Sequence, residues 1–281
     1  MKFLNKTAAV MCAISVLLSA ISCGSAKESA DTSGIKTDGT VQTDPATPAS
    51  GIGRDAADET DSETKTERTP AEDNGYVICV DPGHGFEDGG CGEGVWEDGT
   101  LEKDINLSVA KKLKSHLELL SFTVILTHDG TAIPKSPLDD GNKKFNPNER
   151  VSYVNTLDID YFVSIHVNSY DSDTSASGTR IYYEDDRNWR KTDKKSDVIA
   201  DLIAEKINEE TSPAVKAITY DQGAASYAVV RETLAAASLI EIGFCTNETD
   251  AANMVNEEWQ DALACAIADG IAAFFTPDEG N

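Results

Sequence analysis

Two of the four histidines in this 281-residue chain each end an apolar, strand-like run. Tyr76-Val77-Ile78-Cys79-Val80 breaks at Asp81-Pro82-Gly83-His84-Gly85, and Tyr161-Phe162-Val163-Ser164-Ile165 runs into His166-Val167-Asn168. A third apolar stretch, Ser238-Leu239-Ile240, leads into Glu241-Ile242-Gly243-Phe244. Loops leaving the carboxyl ends of parallel strands share one rim of an α/β sheet, and ligands bind there. Two imidazoles and a carboxylate on such a rim are the donors of a catalytic zinc site, which takes three protein ligands and keeps one position open. His84 and His166 are the first two. A lone histidine is ordinarily a solvated turn residue, but both of these follow hydrophobic strands in Gly-rich or Asn-flanked loops. His116 falls among charged residues of a helical pattern and reads as solvated. His128 follows a strand and competes as a ligand.

The third ligand is expected among the acidic residues around the helix that begins at Leu101: Glu93, Glu97, Asp98, Glu102 and Asp104. Periodicity does not separate them. Glu102 is favoured because a first helical turn holds a ligand more rigidly than a loop, although the helix dipole alone also favours a carboxylate there. Glu241 poses a different problem. A carboxylate inside an apolar run is costly when buried without a partner. It therefore either faces solvent from an edge strand or does chemistry. Beside an activated water it suits a general base that later returns the proton as an acid.

The elements that must position these residues alternate along residues 75–281. A strand over 77–80 is followed by a Gly-rich loop over 83–99. A helix runs from Leu101 to about Leu120, with Ile105, Val109, Leu113 and Leu117 on one face and Thr100 as its N-cap. A strand over 122–127, a polar loop over 128–148 and a short helix over 149–157 lead to the second histidine's strand. Beyond it come a strand over 179–183 and a helix over 193–210 with Val198, Leu202 and Ile207 inward. Short strands over 227–230 and 239–242 follow, then a helix over 257–275 with Leu263, Ile267, Ile271 and Phe274 on one face. Alternation of this kind predicts one α/β domain, long enough for a substantial core.

The residues before this domain read as a leader and a linker. Lys2 and Lys6 precede a short apolar run over 8–21, which has the form of an export signal. Leu18-Ser19-Ala20-Ile21-Ser22-Cys23 resembles a bacterial lipoprotein cleavage site with Cys23 as the lipidated residue, and an ordinary signal cleavage nearby is the plainer alternative. Residues 24–74 contain no aromatic residue and few large aliphatic ones, too little apolar surface to offset the entropy of ordering. They are expected to form a disordered acidic tether with an r.m.s. reach of roughly 40 Å.

The formal net charge is −25; the leader contributes +2 and the linker −7, which leaves −20 on residues 75–281. That sign argues against nucleic-acid binding. Of six cysteines, Cys12 leaves with the leader, and Cys79, Cys91, Cys245 and Cys265 remain in the domain. No CxxC pair points to a structural zinc site. Cys79 and Cys265 read as buried thiols in a strand and a helix. Export permits disulfides, without indicating which cysteines would pair.

Four segments carry a family resemblance. Val80-Asp81-Pro82-Gly83-His84-Gly85, Leu101-Glu102-Lys103-Asp104-Ile105-Asn106-Leu107, Ser164-Ile165-His166-Val167-Asn168 and Ile240-Glu241-Ile242-Gly243-Phe244 resemble, in order, the signature segments of the zinc-dependent N-acetylmuramoyl-L-alanine amidases called Amidase_3. The similarity covers nearly all of residues 76–275. It implies a twisted, mostly parallel sheet flanked by helices on both faces. It also implies one Zn²⁺ held by His84, Glu102 and His166, with Glu241 as catalytic acid-base. The bond cut would be the amide joining the lactyl group of N-acetylmuramic acid to L-alanine of the stem peptide.

The implied partners are peptidoglycan and, through Cys23, a membrane, for an exported monomer of the cell envelope. Asp81, Asn168, His128 and Arg150 are expected to support the site or touch substrate, with turn formation and loop capping as the plain roles of Asp81 and Asn168. The chain departs from the family at His128, where Arg is frequent, and at Cys245 and Thr246, where Leu and Ser are. No autoinhibitory insertion is evident between Thr179 and Val230, and no separate wall-binding module is expected from these residues. A zinc peptidase cutting inside the stem peptide and a non-catalytic wall-binding lipoprotein are the rival readings.

Overall fold

Alternation along the strands decides how the sheet is covered. In a computed structural model that describes residues 73–138, 141, 143–184, 194–211, 216–221 and 227–277, strand β1 (Val77–Pro82) turns Ile78 and Val80 to one face and Cys79 to the other. Strand β3 (Tyr161–Asn168) likewise splits Val163 and Ile165 from Phe162, and β6 (Ala236–Phe244) splits Ile240 and Ile242 from Leu239. The first set packs beneath helices α1 (Glu102–Leu119), α3 (Ser196–Glu210) and α6 (Glu257–Phe275). The second set packs beneath α2 (Pro147–Val154) and α4 (Ala228–Arg231), through Val151, Val154, Val229 and Val230. Helices on both faces of a mostly parallel sheet are what the strand pattern predicted. The leader, Cys23 and the linker to Glu72 lie outside the described residues.

The sheet has six strands in the order β2-β1-β3-β6-β4-β5, with β2 as Thr123–Leu126, β4 as Arg180–Tyr183 and β5 as Ile218–Asp221. The first four are parallel, and β4 is antiparallel to β6. From β1 the chain moves outward through α1 to β2, then returns through α2 to β3 on the other side of β1. Right-handed crossovers in opposite directions put α1 and α2 on opposite faces. The strand order therefore reverses between β1 and β3, and a crevice opens at their carboxyl ends. His84 leaves β1 there and His166 lies near the end of β3.

Several sequence expectations are corrected. Residues 227–230 do not form a strand: Ala228–Arg231 is a helical turn, and adjacent Val229 and Val230 are both buried against the second face. Packing outweighs β-propensity in so short a segment. In α3 the inward stripe is Ile199, Ile203 and Ile207, whereas Val198 is 40% exposed. Leu101, not Thr100, is the N-cap of α1, because the Asp104 carboxylate reaches back to accept the Leu101 amide at 3.0 Å. Strand β6 extends further than expected because β3 and β4 flank it and all nine of its residues are buried. Small residues such as Ala236 and Ala237 join it for that reason. Helix α2 starts at Pro147, capped by Asn146, whose side chain accepts the amides of Asn148 and Glu149. Strand β5 and helix α5 (Glu248–Met254) carry no clear periodic signal. Cys79 is fully buried, but Cys265 is only partly so.

Candidate metal centre

Strand β1 ends in a turn that only certain residues allow. The Gly83 amide donates to the Ile165 carbonyl at 2.8 Å, extending the ladder by one rung. A Cβ on Gly83 would lie 2.3–2.6 Å from the His166 ring, so no other residue lets that imidazole rest against the loop. His84 then takes a left-handed backbone, φ 58°, an uncommon conformation outside glycine that swings its ring over the rim. Gly90, also left-handed, makes room in the same way for Glu102, whose Oε2 would sit 2.4 Å from an added Cβ.

These turns bring three donors together. Glu102 Oε1 lies 3.2 Å from His84 Nε2 and 3.1 Å from His166 Nδ1. It also accepts the Val167 amide at 3.0 Å, and Oε2 accepts the Cys91 amide at 2.8 Å. One donor atom from each of His84, Glu102 and His166 falls within 4.8 Å of the others, the one such cluster among the described residues. Burial would raise the Glu102 pKa, but the two imidazoles overcome it and hold the carboxyl far below its usual range. Burial likewise opposes a charge on His84, yet Glu102, with Asp88 adding, draws its pKa upward. Two imidazoles around one buried carboxylate leave a place between them that a cation fits. Two nitrogens and one carboxylate oxygen, with both rings partly open to solvent, match the donor set of a catalytic zinc site.

The other acidic candidates point elsewhere. Glu93 and Glu97 are exposed. Asp98 accepts the Thr100 amide, and Asp104 caps α1. Asp88, which the sequence reading did not single out, stands 3.1 Å from His84 Nδ1. Its spacing of four residues from His84 within one loop was the available signal.

Glu241 is the register partner of His166 across the β3–β6 ladder, so the two side chains leave the same face of the sheet. The edge-strand explanation for this carboxylate fails, since β6 is an interior strand. Its Oε2 is buried with no hydrogen-bond partner among the described residues. Burial, with the charge of Glu102 adding and the histidines opposing, pushes its pKa up to about 7. Just beyond, β6 carries one extra residue between the His166–Glu241 and Asn168–Phe244 pairs, a bulge of the kind that re-aims side chains beside active sites.

Behind the donors, Asp81 and Arg150 form a buried pair at 2.6 Å. Asp81 also accepts the hydroxyls of Thr127 and Ser164 at 2.5 and 2.6 Å. Arg150 donates to the carbonyls of Phe145, Pro82 and His84, so its guanidinium braces the turn that carries the first imidazole. His128 lies at the rim but outside the three-donor cluster. Its Nε2 is 2.9 Å from the Pro82 carbonyl, and its ring stacks near Phe86 and Phe145. Burial and then the Arg150 charge lower its pKa. The Asn168 side chain accepts the neighbouring Ser169 amide at 2.8 Å, a loop cap.

A cavity of about 160 Å³ beside the cluster is lined by His84, Asp88, Phe145, Arg150, His166 and Tyr227, among others. Tyr227 stacks edge-on against Tyr182, which stacks on Tyr220. This aromatic cluster, of which Tyr227 alone lines the cavity, was not anticipated, because it forms from three separate segments.

Residues 78–273 match the model of the Amidase_3 family, described as N-acetylmuramoyl-L-alanine amidase. The chain belongs to that family. Among relatives, the germination-specific N-acetylmuramoyl-L-alanine amidase of Bacillus subtilis is 28% identical over 206 residues, covering 72% of this chain and 81% of its own. N-acetylmuramoyl-L-alanine amidase LytC of the same organism is 29% identical over 203 residues. There the match spans 72% of this chain but only 36% of LytC. The solved structure of an N-acetylmuramoyl-L-alanine amidase from Clostridium difficile 630 superposes with a TM-score of 0.59 at 26% identity, covering 74% of this chain and all of that one. This family membership and the shared α/β fold agree with the expectation drawn from the four segments.

Proposed function

We propose that this chain is a zinc-dependent amidase of peptidoglycan, cutting between the lactyl group of N-acetylmuramic acid and L-alanine. The observation that carries the reading is the convergence of His84, Glu102 and His166, with the unpartnered Oε2 of Glu241 one strand away. A zinc ion held by the three donors supplies Lewis acidity at the scissile carbonyl and makes a water acidic enough to attack near neutral pH.

The chain's own residues do the rest. Glu241 accepts the proton of the attacking water at Oε2 and passes it to the departing alanine nitrogen. A carboxyl whose pKa is pushed up to about 7 is matched to both halves of that task near neutrality. Glu102 accepts the amides of Val167 and Cys91, which fixes its carboxylate plane before any ligand arrives. Asp81 and Arg150 hold the His84 turn in its left-handed conformation. Tyr227 and Phe145 border the cavity where the substrate chain would lie. The enzyme works as an exported monomer of the envelope, tethered through a lipid on Cys23 by the acidic linker.

Incubating the zinc-loaded chain with purified peptidoglycan, and weighing the soluble products by mass spectrometry, tests this. Intact stem peptides with a free N-terminal alanine, absent with Glu241→Ala, are expected. Fragments cut within the stem would replace the amidase by a peptidase, and no release from a zinc-loaded sample would favour wall binding.

A further inference from the structure

Two cysteines that sequence left unassigned meet beside the metal centre. Cys91 and Cys245 are both free thiols, 154 positions apart in the chain, yet their sulfurs stand 3.2 Å from each other. Cys79 is sealed inside β1, and the Cys265 thiol faces Asp269 at 3.7 Å on α6. Neither has a second sulfur beside it among the described residues. Closing the Cys91–Cys245 gap to a bonded length of about 2.05 Å asks for roughly 1 Å of movement, within the reach of side-chain torsions.

The pair also joins the right elements. Cys91 lies in the loop between His84 and Glu102. Its amide donates to Glu102 Oε2 at 2.8 Å, and its carbonyl accepts the Glu102 amide at 3.2 Å. Its sulfur is 3.4 Å from the carbonyl of Val167, the residue after His166. Cys245 directly follows β6, the strand that carries Glu241, and its amide donates to the Asn168 carbonyl at 2.8 Å.

We propose that Cys91 and Cys245 are a disulfide-forming pair whose bond clamps the Glu102-bearing loop to the ends of β3 and β6. The bond's presence in the cell rests on the proposed export; its capacity to form does not. The oxidant is an exchangeable disulfide, either of a thiol oxidase or of low molecular weight. The thiolate of one cysteine attacks one oxidant sulfur, which breaks the oxidant's bond and releases its first thiol. The other cysteine then attacks its neighbour's sulfur in this mixed disulfide and releases the second thiol. One S–S bond forms, one is lost, and both protons leave on the oxidant.

The test treats the full chain, purified reduced, with oxidised glutathione and maps its peptides by mass. The expected result is a Cys91–Cys245 cross-linked peptide lighter by two hydrogens, with Cys79 and Cys265 still open to alkylation after unfolding. Melting should rise by roughly 5–15 °C and fall back on reduction with dithiothreitol. Loss of zinc to a chelator should slow in the oxidised form.

Comparing oxidised and reduced wild type avoids relying on a variant. Cys245→Ala should stop at a mixed disulfide on Cys91 and show no such rise in melting. Glutathione persisting on either cysteine of the wild type, or a cross-link that leaves melting and zinc loss unchanged, would overturn the clamp. Thiol trapping of the chain in intact cells, with both cysteines found reduced, would overturn its presence there. None of these readings depends on peptidoglycan cleavage, so failure of the clamp and failure of the amidase reading are told apart.

Discussion

Glu241 and His166 are direct partners across the β3–β6 ladder, and a buried carboxylate whose Oε2 has no partner among the described residues thus stands beside the three-donor cluster. Retaining an ionisable group in that position costs stability. The metal-free chain shows the cost with a definite sign. The folded pKa of Glu241 is pushed up to about 7 from an ordinary value of 4.5, so ionisation inside the fold is unfavourable. Stability of the metal-free chain should fall as pH rises from 4.5 through 7, by about 3 kcal/mol at most. Glu241→Gln should remove this fall, melting above the parent at pH 8 and level with it at pH 5. The same variant, loaded with zinc, should lose about 10²- to 10⁴-fold in amide hydrolysis with its metal content intact. Turnover near that of the parent would remove Glu241 from the chemistry.

Arg150 is predicted to matter through the turn it braces. Its guanidinium is buried, pairs with Asp81 at 2.6 Å and donates to the carbonyls on either side of Gly83. Arg150→Met leaves the Asp81 charge without its cation, which should cost about 3–5 kcal/mol in urea unfolding. Arg150→Lys should recover little, because an ammonium lacks the planar fork that reaches three carbonyls and a carboxylate. Burial alone would raise the Asp81 pKa, but Arg150 and the hydroxyls of Ser164 and Thr127 hold it below the usual range. Asp81 therefore contributes its full stability above the unfolded value near 3.9 and loses it as pH falls through the lower folded one. Asp81→Asn should flatten the acid limb of a melting profile; an unchanged limb would show that other carboxylates set it.

Zinc affinity should track the three donors unequally from their neighbours. His84→Ala and Glu102→Gln should each weaken zinc binding by more than about 100-fold, beyond the usual effect of a supporting residue. Asp88→Asn, which alters only the group near His84 Nδ1, should fall within about 10–100-fold. Dialysis against buffered zinc followed by elemental analysis separates the two classes. Equal retention by His84→Ala and the parent would dismantle the cluster.

How far these features could be read in advance depends on what holds them. His84 and His166 end hydrophobic strands, and a strand's end is visible as an apolar run meeting Gly or Asn. From the residues alone Glu102 is favoured over four other acids by its place in a first helical turn, whereas what selects it is a gap at Gly90 and the amides of Cys91 and Val167. None of these is a local property of the first helical turn. The Asp81–Arg150 pair spans 69 residues, which leaves no periodic trace. Val229 and Val230 looked like a strand because β-branched residues suit strands, whereas their actual constraint is the underside of α4. The α3 stripe was misphased because two apolar stripes, one through Val198 and Leu202 and one through Ile199 and Ile203, overlap in sequence, and only the sheet beneath selects between them.

Gly83 gives the sharpest steric prediction. Its backbone is not left-handed, so alanine would meet no torsional penalty there. The added Cβ would instead fall 2.3–2.6 Å from the His166 imidazole, closer than any real contact. The ring is not the free end of a flexible chain: Glu102 holds Nδ1 at 3.1 Å, and β3 fixes the backbone below. Gly83→Ala should therefore push the imidazole away from Glu102, at an overpacking cost of about 1–3 kcal/mol. Zinc binding should weaken far more than that folding loss suggests, because the displaced group is itself a donor. Adding His166→Ala to Gly83→Ala should recover the folding loss, since the clash disappears, without restoring the metal. If the double variant unfolds as readily as Gly83→Ala alone, the strain lies elsewhere in the turn and not against His166.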